Sequence, residues 1–495
     1  MISESLKETL AKHGQSHLLQ YYDGLTAEQQ GQMKEQLQGI NFEECCAFFK
    51  KCTNAPVSSI DKTKLSPVPA EHSANAMEMH AEDWKRLWDI GLQAIGQGQV
   101  GVLLLAGGQG TRLGVDYPKG MYSVGLPSGK TLFQLQGERI LKLQQLAKEK
   151  YPGEKCLIQW YIMTSEATDK ATRGYFAKES NFGLRSDQIK FFQQGKLPCF
   201  TFDGKIILDS KHAVAMAPDG NGGLYRAVKR AGLFSDMVES GVLYLHVYCV
   251  DNVLVKVADP AFVGFCIDRE ADCGVKVVEK IKPTEPVGVV CVMEGQGPVV
   301  VEYSEIDAAT AQLRDSRQPA KLMFRAGNIC NHFFSRQFLE NIVEHHEANL
   351  THHVAKKKIP YVDEATGQRV KPEKPNGIKM EKFVFDVFAL AKKFVLFETP
   401  RSSEFSPLKN ADSANADCAR TAREDLYRLH SGWLKKAGGK VMGVPGQEGP
   451  ASVEVDPSVS YGGEGLEELV KGKELTVPVH LTKSAHMVEN GANGI

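Results

Sequence analysis

An α/β fold built on a mostly parallel, Rossmann-like sheet, preceded by a helical region and followed by a small lobe, is what this sequence predicts. Three observations predict it. At 103–119 the run LLLAGGQGTRLGVDYPK carries an apolar strand into a glycine turn. From residue 100 onward, strand-like runs alternate with helix-like segments, the texture of a parallel sheet with crossover helices. The chain has 495 residues, 42% of them hydrophobic, which is enough for two or three domains with cores of their own.

Each element follows in order. Residues 1–99 read as the helical region. Leu18, Leu19, Tyr22 and Leu25, then Trp84, Leu87, Trp88, Ile90 and Leu92, recur at helical spacing within 1–52 and 80–97. The polar, Pro- and Ser-containing stretch 53–76 between them reads as a linker or an extended wrap. Residues 100–400 form the central domain, with strands expected at 100–105, 157–164, 242–250 and 287–292. Ligand-handling loops follow the carboxyl ends of such strands, and Gly107 and Asp251 both fall there. Residues 401–495 read as the C-terminal lobe. It has a helix at 421–437, a Gly- and Pro-rich run at 443–451, and short strands at 452–459 and 475–481.

Charge and cysteine usage exclude several classes. Lys+Arg 59 against Asp+Glu 60 leaves a formal charge of −1, so no global field recruits nucleic acid or an acidic membrane. Any anion site has to be built locally. The 11 cysteines are odd in number and form no CxxC pair, which argues against a disulfide framework or a zinc ribbon. The charged start MISESLKE predicts no signal peptide, and no stretch approaches the roughly 20 apolar residues of a membrane span. A cytoplasmic protein is the expected class.

The glycine turn carries the chemistry. Glycines let backbone N–H groups approach a ligand, and Arg112 and Lys119 bring positive charge to the same place, as a triphosphate requires. Two familiar phosphate loops do not match. Gly108, Gly110 and Gly114 are spaced one residue too long for the dinucleotide fingerprint, and Gly129-Lys130-Thr131 lacks the first glycine of a P-loop at the required distance. What matches is L-x-x-G-x-G-T-x-L at 105–113 followed by Pro118-Lys119. Asp251 closes an apolar strand, where a hard oxygen ligand suits Mg²⁺ held by one carboxylate plus substrate phosphates.

These residues, with MAPDGNGG at 216–223, HVYCVDN at 246–252, VEYSE at 301–305, AGNI at 326–329, KPNGIKMEKF at 374–383 and FSPLKN at 405–410, resemble the eukaryotic UDP-N-acetylhexosamine pyrophosphorylases, nucleotidyltransferases of the UDPGP type. The motifs occur in the right order from about residue 100 to 410. The resemblance implies a nucleotidyltransferase catalytic domain at 100–400. Its activity would be attack of a sugar-1-phosphate oxygen on the α-phosphorus of UTP, with pyrophosphate leaving. Such a transfer needs positioning and charge neutralisation more than a covalent nucleophile.

By the same resemblance Arg112, Lys119, Lys379 and Lys409 are the catalytic cations. Leu105, Ala106, Gly107, Gly108, Gly110, Lys119, Gln194, Gly220, Asp251 and Lys379 bind the nucleotide. Asn221, Glu302, Tyr303, Asn328 and Lys409 bind the sugar phosphate. Asp251 holds Mg²⁺, with Mn²⁺ as the alternative metal. The implied partners are UTP, an N-acetylhexosamine 1-phosphate and pyrophosphate, with no nucleic acid and no membrane, and with self-association as a homodimer through the C-terminal lobe.

Other readings stand beside this one. The same chemistry on glucose 1-phosphate, or on several sugars, is the first alternative. A catalytically weak nucleotide-sugar-binding regulator is the second, and Lys119, Asp251, Lys379 and Lys409 together argue against it. The cluster His345, His346, His352 and His353 lacks the HExxH spacing and sits beside Lys356-Lys-Lys358, so it reads as a cationic surface. Asp272 and Glu279 flank a strand as glycosidase acids would, with nothing else in support.

Overall fold

The structure is a computed structural model that describes residues 2–54, 62–443 and 449–483. The chain divides into two compact units, each assembled from three separate segments. The smaller holds Met1–Asp61, Gln194–Arg230 and Val343–Val387, and the larger holds Lys62–Gln193, Ala231–Ile342 and Phe388–Ile495.

The larger unit is organised by one long sheet. Its strands lie in the order Ser73–Asn75, Phe394–Thr399, Cys273–Glu279, Ala326–Ser335, Tyr244–Cys249, Val100–Leu105, Gln159–Thr164 and Ile189–Gln193. Only Ala326–Ser335 runs antiparallel to its two neighbours on this path; the other pairings are parallel. The Val289–Met293 and Gly297–Val301 hairpin joins at Gly327. Val100–Leu105 and Gln159–Thr164 are buried along their whole length, as strands covered on both faces should be.

The expected strands at 100–105, 157–164, 242–250 and 287–292 are therefore present. The stretch 53–76 contributes Leu65–Ser66 and Ser73–Asn75 as edge strands of this sheet, and its residues 55–61 lie outside those described.

Helices cover the sheet. Ala81–Gly96 and Pro260–Asp268 touch backbone to backbone, because a Cβ on Gly91 would lie 2.0 Å from the Pro260 carbonyl oxygen and one on Gly264 would lie 1.8 Å from that of Leu87. Leu132–Lys150 buries Gln136 and Arg139 against the turn after Tyr244–Cys249. Gln136 donates to the Val250 carbonyl (3.1 Å), and Arg139 donates to those of Val253 (2.9 Å) and Val255 (3.0 Å). A buried salt cluster, Lys276 with Asp259 (2.5 Å) and Glu404 (3.1 Å), sits behind the same turn.

The contact units cut the chain differently from a reading by local texture. Helix Ala81–Gly96 packs in the larger unit, while Glu4–Lys12, Ala27–Gln38 and Phe42–Asn54 close a core in the smaller unit with Phe200, Ile206, Leu208, Val214, Ile378 and Met380. The segment after 401 also belongs to the larger unit. There Ala419–Lys436 packs on Leu126, Leu132 and Val253, and Leu434, Val453, Leu475 and Val479 close a satellite core. The expected Gly- and Pro-rich run 443–451 lies outside the described residues at 444–448. Which apolar faces meet is a tertiary fact, and helical spacing does not carry it.

Candidate active site

The larger unit brings Gly107, Gly108, Gly110, Arg112, Lys119, Asp251 and Lys409 of the sequence-predicted residues into one neighbourhood. Strands Val100–Leu105 and Tyr244–Cys249 are parallel neighbours with Leu105 opposite Cys249, so Gly107 and Asp251 each lie two residues past a paired position. The loop after Leu105 folds back on itself. Gly110 N–H donates to the Tyr117 carbonyl (3.0 Å) and Lys119 N–H to that of Gly108 (3.3 Å), and Ser165 Oγ donates to the Gly107 carbonyl (2.8 Å). Lys119 thereby returns to the strand ends. Its Nζ lies 3.9 Å from Asp251 Oδ2, with both side chains mostly buried.

Segment 405–411 runs alongside. Leu408 N–H donates to the Asp251 carbonyl (2.8 Å) and Ala411 N–H to that of Arg112 (3.1 Å), which puts Lys409 between the two. Asn252 locks this arrangement. Buried to 3% exposure, it donates to the Glu404 carbonyl (2.7 Å) and accepts from Leu254 N–H (3.2 Å) and Ser406 N–H (3.0 Å).

Glycine 108 differs from its neighbours. A Cβ on Gly110 would lie 2.3 Å from Val115 Cγ2, so glycine there is imposed by the loop itself. A Cβ on Gly108 would meet nothing within 4 Å, and its backbone has an ordinary φ. Packing of the chain therefore does not demand glycine at 108.

Two of the residues expected to bind the sugar, Glu302 and Asn328, lie at another glycine. A Cβ on Gly288 would lie 2.9 Å from Glu302 Oε1, and Asn328 N–H donates to the Gly288 carbonyl (2.8 Å). Asn328 Oδ1 accepts from Cys330 N–H (3.1 Å), where the register of Ala326–Ser335 against Cys273–Glu279 shifts. Tyr303 is 53% exposed beside Glu302.

The smaller unit carries Gln194, Gly220, Asn221 and Lys379. Its loop 219–223 is pressed against the chain after strand Gly377–Glu381: Lys382 N–H donates to the Asp219 carbonyl (2.8 Å), and Gly222 N–H to that of Lys382 (2.9 Å). Asn221 Oδ1 accepts from Val384 N–H (2.9 Å). Lys382 is buried and ion-pairs with Glu347 (2.5 Å), which also pairs with Arg226 (2.8 Å), itself paired with Glu44 (2.7 Å). Gln194 is half-buried just before Gly195, whose carbonyl accepts from Asp219 N–H (3.2 Å). Lys379 lines a cleft of about 290 Å³ with Cys199, Asp209, Met216 and Lys358.

Asn252, Ser165, Asp219 and Lys382 support these positions, and sequence reasoning did not single them out as such. Asp219, Asn252 and Lys382 stand inside quoted motifs, which was the available signal. The hydrogen bonds of Ser165 to Gly107 and of Lys382 to Asp219 span 58 and more residues, and leave no local trace. Lys130 is held by Glu138 (2.5 Å) and Asp456.

Among the described residues no group of three His, Cys, Asp or Glu side chains is placed to hold a metal. The Asp251 carboxylate fits Mg²⁺ in the way that ion is usually held in nucleotide sites, by one or two carboxylates with phosphate oxygens and water. The histidines at 345, 346, 352 and 353 form no such group either.

A parallel sheet whose strand ends carry a glycine turn, two cations and a carboxylate defines a nucleotide-handling α/β protein. The chain belongs to the UTP–glucose-1-phosphate uridylyltransferase family, whose pattern it matches over residues 41–445. It is 48% identical to UDP-N-acetylhexosamine pyrophosphorylase-like protein 1 of Homo sapiens, over 97% of each chain. It is 40% identical to UDP-N-acetylglucosamine pyrophosphorylase of Saccharomyces cerevisiae, over 94% of this chain and 97% of that one. Among solved structures it resembles the uridine diphosphate N-acetylglucosamine pyrophosphorylase of Trypanosoma brucei in complex with an inhibitor, with a TM-score of 0.80 and 30% identity over 93% of each chain.

Proposed function

We propose that the chain transfers the uridylyl group of UTP to an N-acetylhexosamine 1-phosphate, forming a UDP-N-acetylhexosamine and pyrophosphate. A phosphate oxygen of the sugar phosphate attacks the α-phosphorus, and the bond to the bridging oxygen of the leaving pyrophosphate breaks in line. The observation that carries this reading is Lys119 facing Asp251 at 3.9 Å at the ends of adjacent parallel strands, beside a loop open at Gly108.

The backbone of 105–110 holds the nucleotide, and Lys119, Arg112 and Lys409 offset phosphate charge. Asp251 would hold Mg²⁺, which when bound neutralises phosphate oxygens as the bonds exchange. In the smaller unit Gln194 and Gly220 read the uridine, a side-chain amide matching an imide edge through donor and acceptor together. Lys379 binds phosphate there. In the larger unit Glu302, Tyr303 and Asn328 are assigned to the sugar, whose N-acetyl group offers both a donor and an acceptor; Asn221 of the smaller unit carries the same assignment by resemblance. All eleven cysteines are free thiols, which supports a reducing cytoplasmic setting.

The test is pyrophosphate release from UTP and Mg²⁺ with the 1-phosphates of N-acetylglucosamine, N-acetylgalactosamine and glucose in separate reactions. Turnover with the acetylated sugars well above glucose is expected, and their ratio ranks the two. Release with glucose alone would transfer the chain to the glucose reading, and no release with any sugar would end the enzymatic one.

A further inference from the structure

Loop 219–223 contains a carboxyl group that the transfer chemistry does not use. Asp219 is only 8% exposed, and among the described residues its Oδ1 meets no hydrogen-bond donor. It occupies the space two side chains would otherwise fill. A Cβ on Gly195 would lie 2.3 Å from its Oδ2, and a Cβ on Gly223 would lie 2.0 Å from its Oδ1. The backbone repeats the clamp, because Asp219 N–H bonds the Gly195 carbonyl (3.2 Å) while its own carbonyl accepts from Lys382 N–H (2.8 Å). The carboxyl group is thus a spacer between the turn bearing Gln194 and the loop bearing Gly220 and Asn221.

We infer that Asp219 is a positioning residue that fixes the separation of these two segments and so sets the affinity for the uridine nucleotide. The inference rests on the uridine-reading roles of Gln194 and Gly220 proposed above. Asp219 touches no reacting atom; it acts through the two turns it holds apart. Glycines 195 and 223 are the complementary half of the device, since any side chain on either would expel the carboxyl group.

The spacer is also sensitive to protons. Burial pushes the Asp219 carboxyl up to about 6, against the pull of Lys382, Arg226 and Arg230. Lys382 and Arg226 share Glu347, and Arg226 is further held by Glu44, so part of that positive charge is already committed. Lys196 follows Gly195 on the adjoining strand. Above the midpoint the ionised carboxylate adds negative charge beside a ligand that is itself an anion. A uridine diphosphate sugar therefore binds more tightly as pH falls through that midpoint.

Equilibrium binding of UDP-N-acetylglucosamine, by calorimetry on the full chain well below and well above that pH, tests this. The ligand carries no phosphate monoester, so it does not itself titrate there. D219A should bind about tenfold more weakly than the wild type does at low pH, the scale of one displaced polar group, and with the same affinity at both pH values. D219N keeps the shape without the charge, so it should hold the low-pH affinity of the wild type at both. In turnover, D219A should raise KM for UTP, and with it KM for the sugar phosphate that Asn221 of the same loop reads, and leave kcat near wild type. Wild-type affinity and pH dependence retained in D219A would overturn the inference, and so would a D219N profile that still follows pH. A wild-type protein that binds no uridine nucleotide at all would instead remove the functional reading on which it stands.

Discussion

The two glycine-rich loops, 107–110 in the larger unit and 219–223 in the smaller, look alike in sequence and are built for opposite reasons. In the second loop protein atoms demand every glycine. Gly220 has φ +86° and would put a Cβ 2.3 Å from the Lys382 carbonyl oxygen, Gly222 would put one 2.7 Å from the Phe383 carbonyl, and Gly223 would strike Asp219. In the first loop Gly110 is demanded in the same way, but Gly108 is not. Glycine enrichment therefore marks two things, close packing of chain on chain and positions that protein packing leaves open. Only the three-dimensional surroundings distinguish them.

The largest effects that would break this comparison lie beside the first loop. Asp251→Asn and Lys409→Ala should each keep the fold and lower kcat on the order of 10²–10³, the cost of removing one preorganised charge from a transition state. Thermal melts in the wild-type range together with such a loss would support the placement of Lys119, Asp251 and Lys409. Near-normal turnover in either variant would remove that residue from the catalytic set.

Substituting the glycines separates the loops directly. Gly223→Ala forces a methyl group into the Asp219 carboxyl group and should cost about 1–3 kcal/mol of stability, as overpacking does. Gly108→Ala meets no protein atom, so the melting temperature should stay at wild type while KM for UTP rises. A Gly108→Ala protein as destabilised as Gly223→Ala would mean that both loops are simply packed.

Much of this was legible from residue order. Strand Val100–Leu105 has the expected bounds, because six consecutive apolar residues before a glycine turn admit little else. Gly107 and Asp251 fall at strand ends because period and apolar run length fix where a strand stops. What stayed hidden was anything that joins distant segments. That Lys382 closes onto Asp219, 163 residues earlier, or that Asn252 reaches the Glu404 carbonyl, leaves no local signature. The division into units was hidden for the same reason, since helix Ala81–Gly96 and helix Phe42–Asn54 are both amphipathic but bury their faces in different cores.

Acid should separate the two units in a graded way. Burial pushes His246 and His430 in the larger unit, and His352 in the smaller, down from 6.5 to about 3, so all three stay neutral in the folded chain. Below their unfolded value the unfolded chain binds the extra protons, and stability falls with pH by about 1.4 kcal/mol per unit for each histidine. Asp219 works in the opposite sense. Its raised value means that the folded chain binds the extra proton between 3.8 and about 6, which offsets His352 within the smaller unit. In the larger unit burial likewise raises the Glu138 and Glu398 carboxyls, which offset part of the His246 and His430 contribution only at the lower pH where carboxyls titrate. All four tryptophans, Trp84, Trp88, Trp160 and Trp433, lie in that unit, so their fluorescence reports its unfolding. The denaturant midpoint followed by tryptophan emission should fall steadily as pH drops below 6.5, and His430→Gln should remove one histidine's share of the slope. A midpoint that does not move with pH in the wild type would mean that these imidazoles take up protons while folded, and that the larger unit is more open around them than their burial indicates.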